Sequence, residues 1–381
     1  MEICVLNPYF YPYKGGTEKV LLEVYRRLAK KHNITVLTST VPGRNEERRE
    51  EIHGINVVRL TTHQIPLPEL PLPFESFENL NAEIQKVGAD LYHINNRYQY
   101  FYYNLQSIKA AGKLCLTIHN SLPMNINPQT DFFGLAYDVV WGRKIMHQAD
   151  LITGVSKDAI DVTVPKKDKP KAHVVYNGVD TDVFKRYPKS SPKVADLIDE
   201  FSFHGQTVIC NGRFVPQKGQ IYLMRALSLI SKGGETPNLL LLGKGPMEPE
   251  LRHTAERLGI NLAIRSDISD DKLAYYYSAC DVAAAPSLYE PASLAALESM
   301  ACELPVVASK IGGLPEMVDG CGIFTKPKKP RSIADALVQV LSDPKKAEVM
   351  GKMGRKHVIA NHSWDRIAKR YEELFLNTLK S

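Results

Sequence analysis

None of the six cysteines belongs to a CxxC pair, which removes the usual signature of a thiolate metal site or a paired disulfide. Cys4, Cys115 and Cys210 fall inside the apolar runs ICVL, LCLT and VICN, where a thiol serves as a small core residue. Six unpaired thiols fit a reducing cytoplasm. Long apolar runs are missing too. No stretch reaches the length of a membrane-spanning helix, and the start MEICVLNPYFYP lacks the basic residues and apolar segment of a secretion signal. The expectation is a soluble, cytoplasmic protein that can still rest on the inner membrane surface. A surplus of one charge is absent: 48 Lys and Arg oppose 42 Asp and Glu, a net +6, which argues against nucleic acid as a partner. A complete GxGxxG is absent as well. Gly243 and Gly245 follow an apolar run, but Glu248 stands at the third glycine position, so the dinucleotide fingerprint is only partial.

What is there begins with size. A chain of 381 residues exceeds what one core usually organises, and 44% apolar residues can bury two. Short β-rich runs alternate with helix-period stretches: EICVLNP, NITVLTS, INVVRLT, ADLYHIN, KLCLTIHN, ADLITGVS and AHVVYNG. Strands buried on both faces and separated by helices predict parallel, doubly wound sheets. The polar, proline-broken KRYPKSSPK reads as a linker, after which the alternation restarts with TVICNGR, PNLLLLGKG, NLAIRSD, CDVAAAPS and LPVVASK. The fold class is therefore α/β, with two Rossmann-like domains in series.

In such sheets ligands bind beyond the carboxyl ends of the strands. Four strand-to-helix turns carry chemistry there. NPYFYPYKGGTEKV sets Gly15 and Gly16 before a helix with Thr17 as a candidate cap, leaving amides that could face an anion or form a mobile turn. VICNGRFVPQKGQ places Arg213 and Lys218 between Gly212 and Gly219; a guanidinium and an ammonium together suit a diphosphate, and both side chains are expected to face solvent in the empty site. LLLLGKGPME reads either as a close-approach turn near the ligand at Gly243 or as plain helix–strand packing, with Pro246 at a first helical position. In YEPASLAALESMACE, Glu290 sits in the loop, a helix starts near Ser293, and Glu298 lies inside it. Amides around Ser293 and Leu294 would hold a phosphate between two carboxylates that accept from sugar hydroxyls. A nucleotide sugar has that layout, with ribose on one side of its diphosphate and a hexose on the other.

These residues resemble the retaining glycosyltransferases of family 4, which have the two-domain GT-B fold. The Glu-x7-Glu motif matches Glu290 and Glu298, GRFVPQKG matches the diphosphate-binding Arg and Lys, and VYNGVDTDVF, GVSK and IGGLPEMV are also similar. The ending HSWDRIAKRYEELF looks like the helix that crosses back to the first domain. The resemblance spans essentially the whole chain. It implies two Rossmann-like domains facing each other across a cleft: residues 1–182 with 366–381 on the acceptor side, and 183–365 binding the nucleotide sugar.

By this resemblance Glu290 contacts the donor sugar, Glu298 the ribose, and Arg213 with Lys218 the diphosphate. Ser293 and Leu294 offer amides, Gly15 and Gly16 close over the phosphates, and His119 sits beside the donor sugar. His93 ends another strand and is either a structural residue or one that faces the acceptor. No cofactor and no metal are implied; the DTD at Asp180 to Asp182 belongs to the domain junction and reads as capping chemistry. Ser293 stands where relatives often have Gly, and IRSD at Ile264 to Asp267 departs from their usual FLG, which leaves the base undefined. A sugar-nucleotide epimerase and a non-catalytic nucleotide-sugar-binding subunit are the alternatives; intact Glu290, Glu298, Arg213 and Lys218 argue against the latter. A glycan or lipid-linked acceptor is expected against the first domain, where NNRYQYFYYN offers tyrosine faces and IPLPELPLPF an apolar loop. Arg26, Arg27, Lys30 and Lys31 could meet anionic headgroups or simply be solvated. The sequence leaves the oligomeric state open.

Overall fold

Alternation of short apolar strands with amphipathic helices continues through both halves of the chain. The computed structural model describes residues 1–13, 15–40, 48–65, 74–77, 79–97, 103–121, 128–203, 205–230 and 236–381. The first half holds β1 (Glu2–Leu6), β2 (Asn33–Ser39), β3 (Arg48–Ile52), β4 (Ile55–Leu60), β5 (Thr62–Ile65), β6 (Phe74–Phe77), β7 (Leu91–Asn95), β8 (Lys113–Ile118), β9 (Leu151–Gly154) and β10 (Ala172–Val174). Eight of them form one sheet in the order β10-β9-β8-β7-β1-β2-β4-β3. It is parallel except at its edge, where β3 runs antiparallel to β4; β5 and β6 form a separate antiparallel pair.

The second half holds β11 (Thr207–Asn211), β12 (Asn238–Leu242), β13 (Leu262–Arg265), β14 (Val282–Ala285), β15 (Val306–Ser309) and β16 (Gly322–Thr325). Their order is β13-β12-β11-β14-β15-β16, parallel throughout. The reason is visible in β12, sequence NLLLL, which is buried along its whole length. Its leucines alternate between faces. Leu239 and Leu241 join the core with Leu223, Leu227 and Leu337, while Leu240 and Leu242 join Tyr277, Leu297 and Met300 on the other side. Each such leucine contributes about 1.5–3 kcal/mol when fully buried, so helices are needed on both faces.

The chain divides into two compact units. The first comprises the described residues of Met1–Met124 and Pro128–Tyr176 together with Trp364–Ser381, and the second Asn177–Ser363. The divisions fall at 176/177 and 363/364, earlier than the expected 182/183 and 365/366. Packing explains this: Val179 and Phe184 belong to the second unit's core, and the Val179 amide donates to His362 O at 2.8 Å.

In the first unit, helix Gly16–Leu28 buries Val20, Leu21, Val24, Tyr25 and Leu28 at helical spacing, with Glu18 in its first turn and Arg26 and Arg27 in its last, matching the helix dipole. The C-terminal helix Trp364–Lys380 packs against it; Arg27 Nε lies 2.6 Å from Asp365 Oδ1, and His32 Nε2 lies 2.8 Å from Glu372 Oε1. The cations of that first helix are largely matched within the unit. Arg26 and Arg27 both reach Glu23, and Lys31 lies 3.6 Å from Glu372, which weakens the case for headgroup binding there. Residues 66–73 of IPLPELPLPF and 98–102 of NNRYQYFYYN lie outside the described residues. Among the described residues no helix is long and apolar enough to cross a membrane.

Candidate active site

In the second sheet the chain first builds β11, β12 and β13 outward, then returns to place β14 on the other side of β11. The carboxyl ends of β11 and β14 therefore border the point where strand order reverses, the usual ligand position in an open α/β sheet. A pocket opens there, lined among others by Asn211, Lys218, Pro286, Ser287, Glu290 and Ser293.

Glycine close contacts fix the loops around it. The turn Pro216–Lys218 is closed by Gly219 at φ +68°, and a Cβ on Gly219 would lie 2.2 Å from Pro286 O. Gly312 has φ +56°, and its Cβ would lie 2.2 Å from Glu290 O, the oxygen that accepts the Gly313 amide at 3.0 Å. Only a residue without a side chain fits at either place without moving a neighbouring backbone. Gly243 and Gly245 make a close-approach turn as expected, but what they approach is protein backbone. Cβ atoms there would lie 2.2 Å from Gly212 O and 2.5 Å from Phe214 O. Pro246 is not helical: the following helix begins at Glu248, with Pro249 in its first turn.

Lys218 is not solvent-facing as expected. Its Nζ lies 2.5 Å from Glu290 Oε2, and Ser287 Oγ donates to the same oxygen at 3.2 Å. Glu290 is only 6% exposed, and a carboxylate so buried is strongly disfavoured without a cation or donors; Lys218 and Ser287 supply both. Arg213 remains exposed and has no ion pair among the described residues. Its backbone is held by Gln220, whose Nε2 donates to Arg213 O at 3.0 Å, but its side chain does not line the pocket with Lys218 and Glu290.

Helix Leu294–Ala301 starts at the pocket. Ser293 is its cap, accepting from Ala296 N at 3.3 Å. The Ser293 amide itself turns inward, 3.3 Å from Met317 Sδ. The amides with no intrahelical acceptor are thus those of Leu294 and Ala295, not Ser293 and Leu294 as expected. Further along, Glu298 is 4% exposed. Tyr277 OH donates to Glu298 Oε2 at 3.0 Å and receives Asn211 Nδ2 at 2.8 Å. The two carboxylates thus have different surroundings: one faces a cation, the other a neutral relay.

Asn211, Tyr277, Ser287 and Gly312 were not singled out in the sequence. Tyr277 sits in YYY on a helix of ordinary pattern, and the relay exists only because β11 and helix Asp270–Ala279 come together in the fold.

The remaining candidates lie in the first unit. Helix Gly16–Leu28 is capped by Gly15 in extended geometry, so Thr17 is inside the first turn rather than at the cap. Glu18 leans over this start: a Cβ on Gly15 would lie 2.0 Å from Glu18 Oε2. His119 follows β8. Its amide donates to Asn96 Oδ1 and its Nε2 pairs with Asn95 Oδ1, both at 3.0 Å. Burial pushes the imidazole down to about 4, so it is neutral near pH 7. His93 is a core residue, 2% exposed, bonded to Tyr25 OH and, at 2.5 Å, to Thr117 Oγ1. Tyr371 and Phe375 pack around its ring. Asp180 caps its own turn as expected, accepting from the Asp182 and Val183 amides at 3.0 and 3.2 Å.

Known proteins are similar to this chain in sequence and in fold. The sequence profile of glycosyl transferases group 1 matches residues 202–357, and that of glycosyltransferase family 4 matches residues 14–183. The alpha-maltose-1-phosphate synthase of Mycolicibacterium smegmatis is 29% identical over 80% of this chain and 86% of its own. The GDP-mannose-dependent alpha-(1-6)-phosphatidylinositol monomannoside mannosyltransferase of the same organism is 30% identical over 96% of both chains. Among solved structures, Anabaena HepE in complex with UDP is similar in fold, with a TM-score of 0.77 at 20% identity, covering 99% of this chain and 100% of that one. The chain therefore belongs to glycosyltransferase family 4 and is a glycosyltransferase of the GT-B fold.

Proposed function

We propose that this protein moves a hexose from a nucleoside-diphosphate sugar to a hydroxyl of a glycan or lipid-linked acceptor, with retained anomeric configuration and without a metal. The observation that carries this reading is the Lys218–Glu290 pair, 2.5 Å apart, beside the open amides of helix Leu294–Ala301 at the switch point of the second sheet. The names of relatives support the donor class: one is GDP-mannose-dependent, and HepE is in complex with UDP.

In this reading the diphosphate docks on the Leu294 and Ala295 amides, with Arg213 and Lys218 as its cations. Glu290 accepts from donor-sugar hydroxyls and Glu298 from the ribose. Charge grows on the diphosphate as the anomeric C–O bond breaks, and donors already aimed at it stabilise the transition state more than the ground state. The acceptor oxygen bonds to the anomeric carbon on the face the phosphate leaves, and its proton passes to the departing phosphate oxygen. Lys218 has a second partner in the resting protein, so the arriving diphosphate competes with Glu290 for it and releases that carboxylate toward the sugar.

EDTA should leave the transfer rate unchanged, because protein cations meet the phosphate charge; loss of activity restored by magnesium or manganese would contradict this. Tyr277→Phe should raise the donor KM several-fold, since Glu298 loses the hydroxyl that orients it, while kcat changes little; a KM equal to wild type would remove Tyr277 from the account. The reaction itself is tested by the anomeric proton coupling of the product formed from an α-linked donor. An α-linked product supports retention, a β-linked one refutes it, and an interconverted sugar nucleotide from donor alone would mean epimerisation.

A further inference from the structure

The first sheet has its own switch point. The chain lays β2 and β4 on one side of β1, then returns to place β7, β8, β9 and β10 on the other, so the order reverses between β1 and β7. Leu6 pairs with Ile94 across these strands, and the residues that follow, Asn7 and Asn95, are therefore neighbours at the two carboxyl ends. Each is 1% exposed, and each uses half of its amide. Asn7 Nδ2 donates to Tyr9 O at 2.6 Å and reaches Glu18 Oε1 at 3.4 Å. Asn95 Oδ1 is occupied by His119 Nε2 on the β8 side. Among the described residues, the other halves, Asn7 Oδ1 and Asn95 Nδ2, are buried without a hydrogen-bond partner.

Folded proteins leave few buried polar atoms unmatched, and two in adjacent residues at a switch point call for an occupant. One is an acceptor and the other a donor. A carboxylate or carbonyl would satisfy only Asn95, and an ammonium only Asn7; an alcohol gives a proton to one and takes one from the other. We infer that Asn7 and Asn95 form a subsite for a sugar or polyol hydroxyl at the carboxyl ends of β1 and β7. This rests on the reading of the protein as a sugar transferase given above. His119 completes the site: with its Nε2 proton committed to Asn95, its Nδ1 is left as a second acceptor for the same ring of hydroxyls. The ionisable groups nearby are already committed. His93 is bonded to Tyr25 and Thr117, and Arg97 to Asp138 at 2.7 Å.

The test follows the Asn7 and Asn95 side-chain amide signals by NMR during titration with GDP-mannose, UDP-glucose, octyl mannoside and octyl glucoside. Asn95→Asp keeps an oxygen for His119 and replaces the unmatched donor with an acceptor; Asn7→Ala removes the unmatched acceptor. The subsite predicts that at least one probe moves the Asn95 amide signal and binds about tenfold to a hundredfold more weakly to each variant. A nucleotide sugar as that probe assigns the hydroxyl to the donor, and an octyl glycoside assigns it to the acceptor. No movement with any probe, or affinities unchanged in both variants, overturns the subsite even if transferase activity is intact. A buried water alone would show as variants with lower melting temperatures and wild-type binding, which also overturns it.

Discussion

The Lys218→Ala protein is expected to lose about a hundredfold to a thousandfold in kcat/KM, the range seen when one preorganised donor to developing charge is removed. It should also melt several degrees lower. Glu290 would keep the Ser287 hydroxyl as a donor and lose the Lys218 cation, and an uncompensated buried carboxylate is costly. A fully buried pair broken in this way loses about 3–5 kcal/mol; the Lys218 side chain is 24% exposed, so about 1–3 kcal/mol is the expected loss after allowing for solvent screening. Arg213→Ala is the comparison. It should lose activity on a similar scale with a melting temperature close to wild type, because an exposed side chain away from such features contributes within about 0.5 kcal/mol. Steady-state kinetics and thermal melting of both variants check this. Wild-type kcat/KM in Lys218→Ala would remove the lysine from the chemistry, and equal melting temperatures for the two variants would remove the ion pair from the stability account.

Gly312→Ala should damage activity strongly, because the methyl is added against the loop that bears Glu290. Two effects combine there. The position has φ +56°, a conformation that costs a non-glycine residue about 1 kcal/mol or more. The added Cβ would also lie 2.2 Å from Glu290 O, so the loop bearing Glu290 must shift. Displacements of about 1 Å in a reacting group can cost about a hundredfold in rate, and a loss of tenfold to a hundredfold in kcat/KM is the expected outcome. Gly320→Ala separates the two effects, because Gly320 has φ +70° but nothing within 4 Å of its missing Cβ. It should lose stability and keep its activity. Equal activity in the two variants would mean that the Gly312 contact does not position Glu290.

Most of the fold was legible in the sequence because its strands are buried on both faces and read as continuous apolar runs. The segment NLLLL needed no context to be a strand. Four strands went unread: the short pair β5 and β6, β3, which is RREEI at an antiparallel edge, and β16, the short, partly buried GIFT. The second unit's boundary was displaced because Asn177 to Asp182 looks like a junction in sequence, whereas the Val179 side chain is buried in the second core.

The site was legible where it follows local rules. The helix start near Ser293 and Glu298 inside the helix come from spacing alone, and the glycines from the turns they occupy. What spacing cannot give is pairing across sequence distance. Lys218 and Glu290 are 72 positions apart, and Tyr277 meets Glu298 only because two helices and β11 converge. The expectation of a solvent-facing Lys218 failed for that reason: a buried carboxylate in the neighbouring loop captured the ammonium. His93 shows the opposite outcome: expected at a strand end, it lies in the middle of β7, in a core of Tyr25, Tyr371 and Phe375.

In the proposed function the second unit holds the diphosphate of a nucleotide sugar on Arg213, Lys218 and the start of helix Leu294–Ala301. Isothermal titration of the wild-type protein and the Arg213→Ala, Lys218→Ala double variant with UDP-, GDP- and ADP-sugars tests it most directly. The wild type should show saturable one-to-one binding of at least one of them, weakened at least about a hundredfold in the double variant by the loss of two cations. Binding of equal strength in both proteins, or no binding of any nucleotide sugar by the wild type, would contradict it.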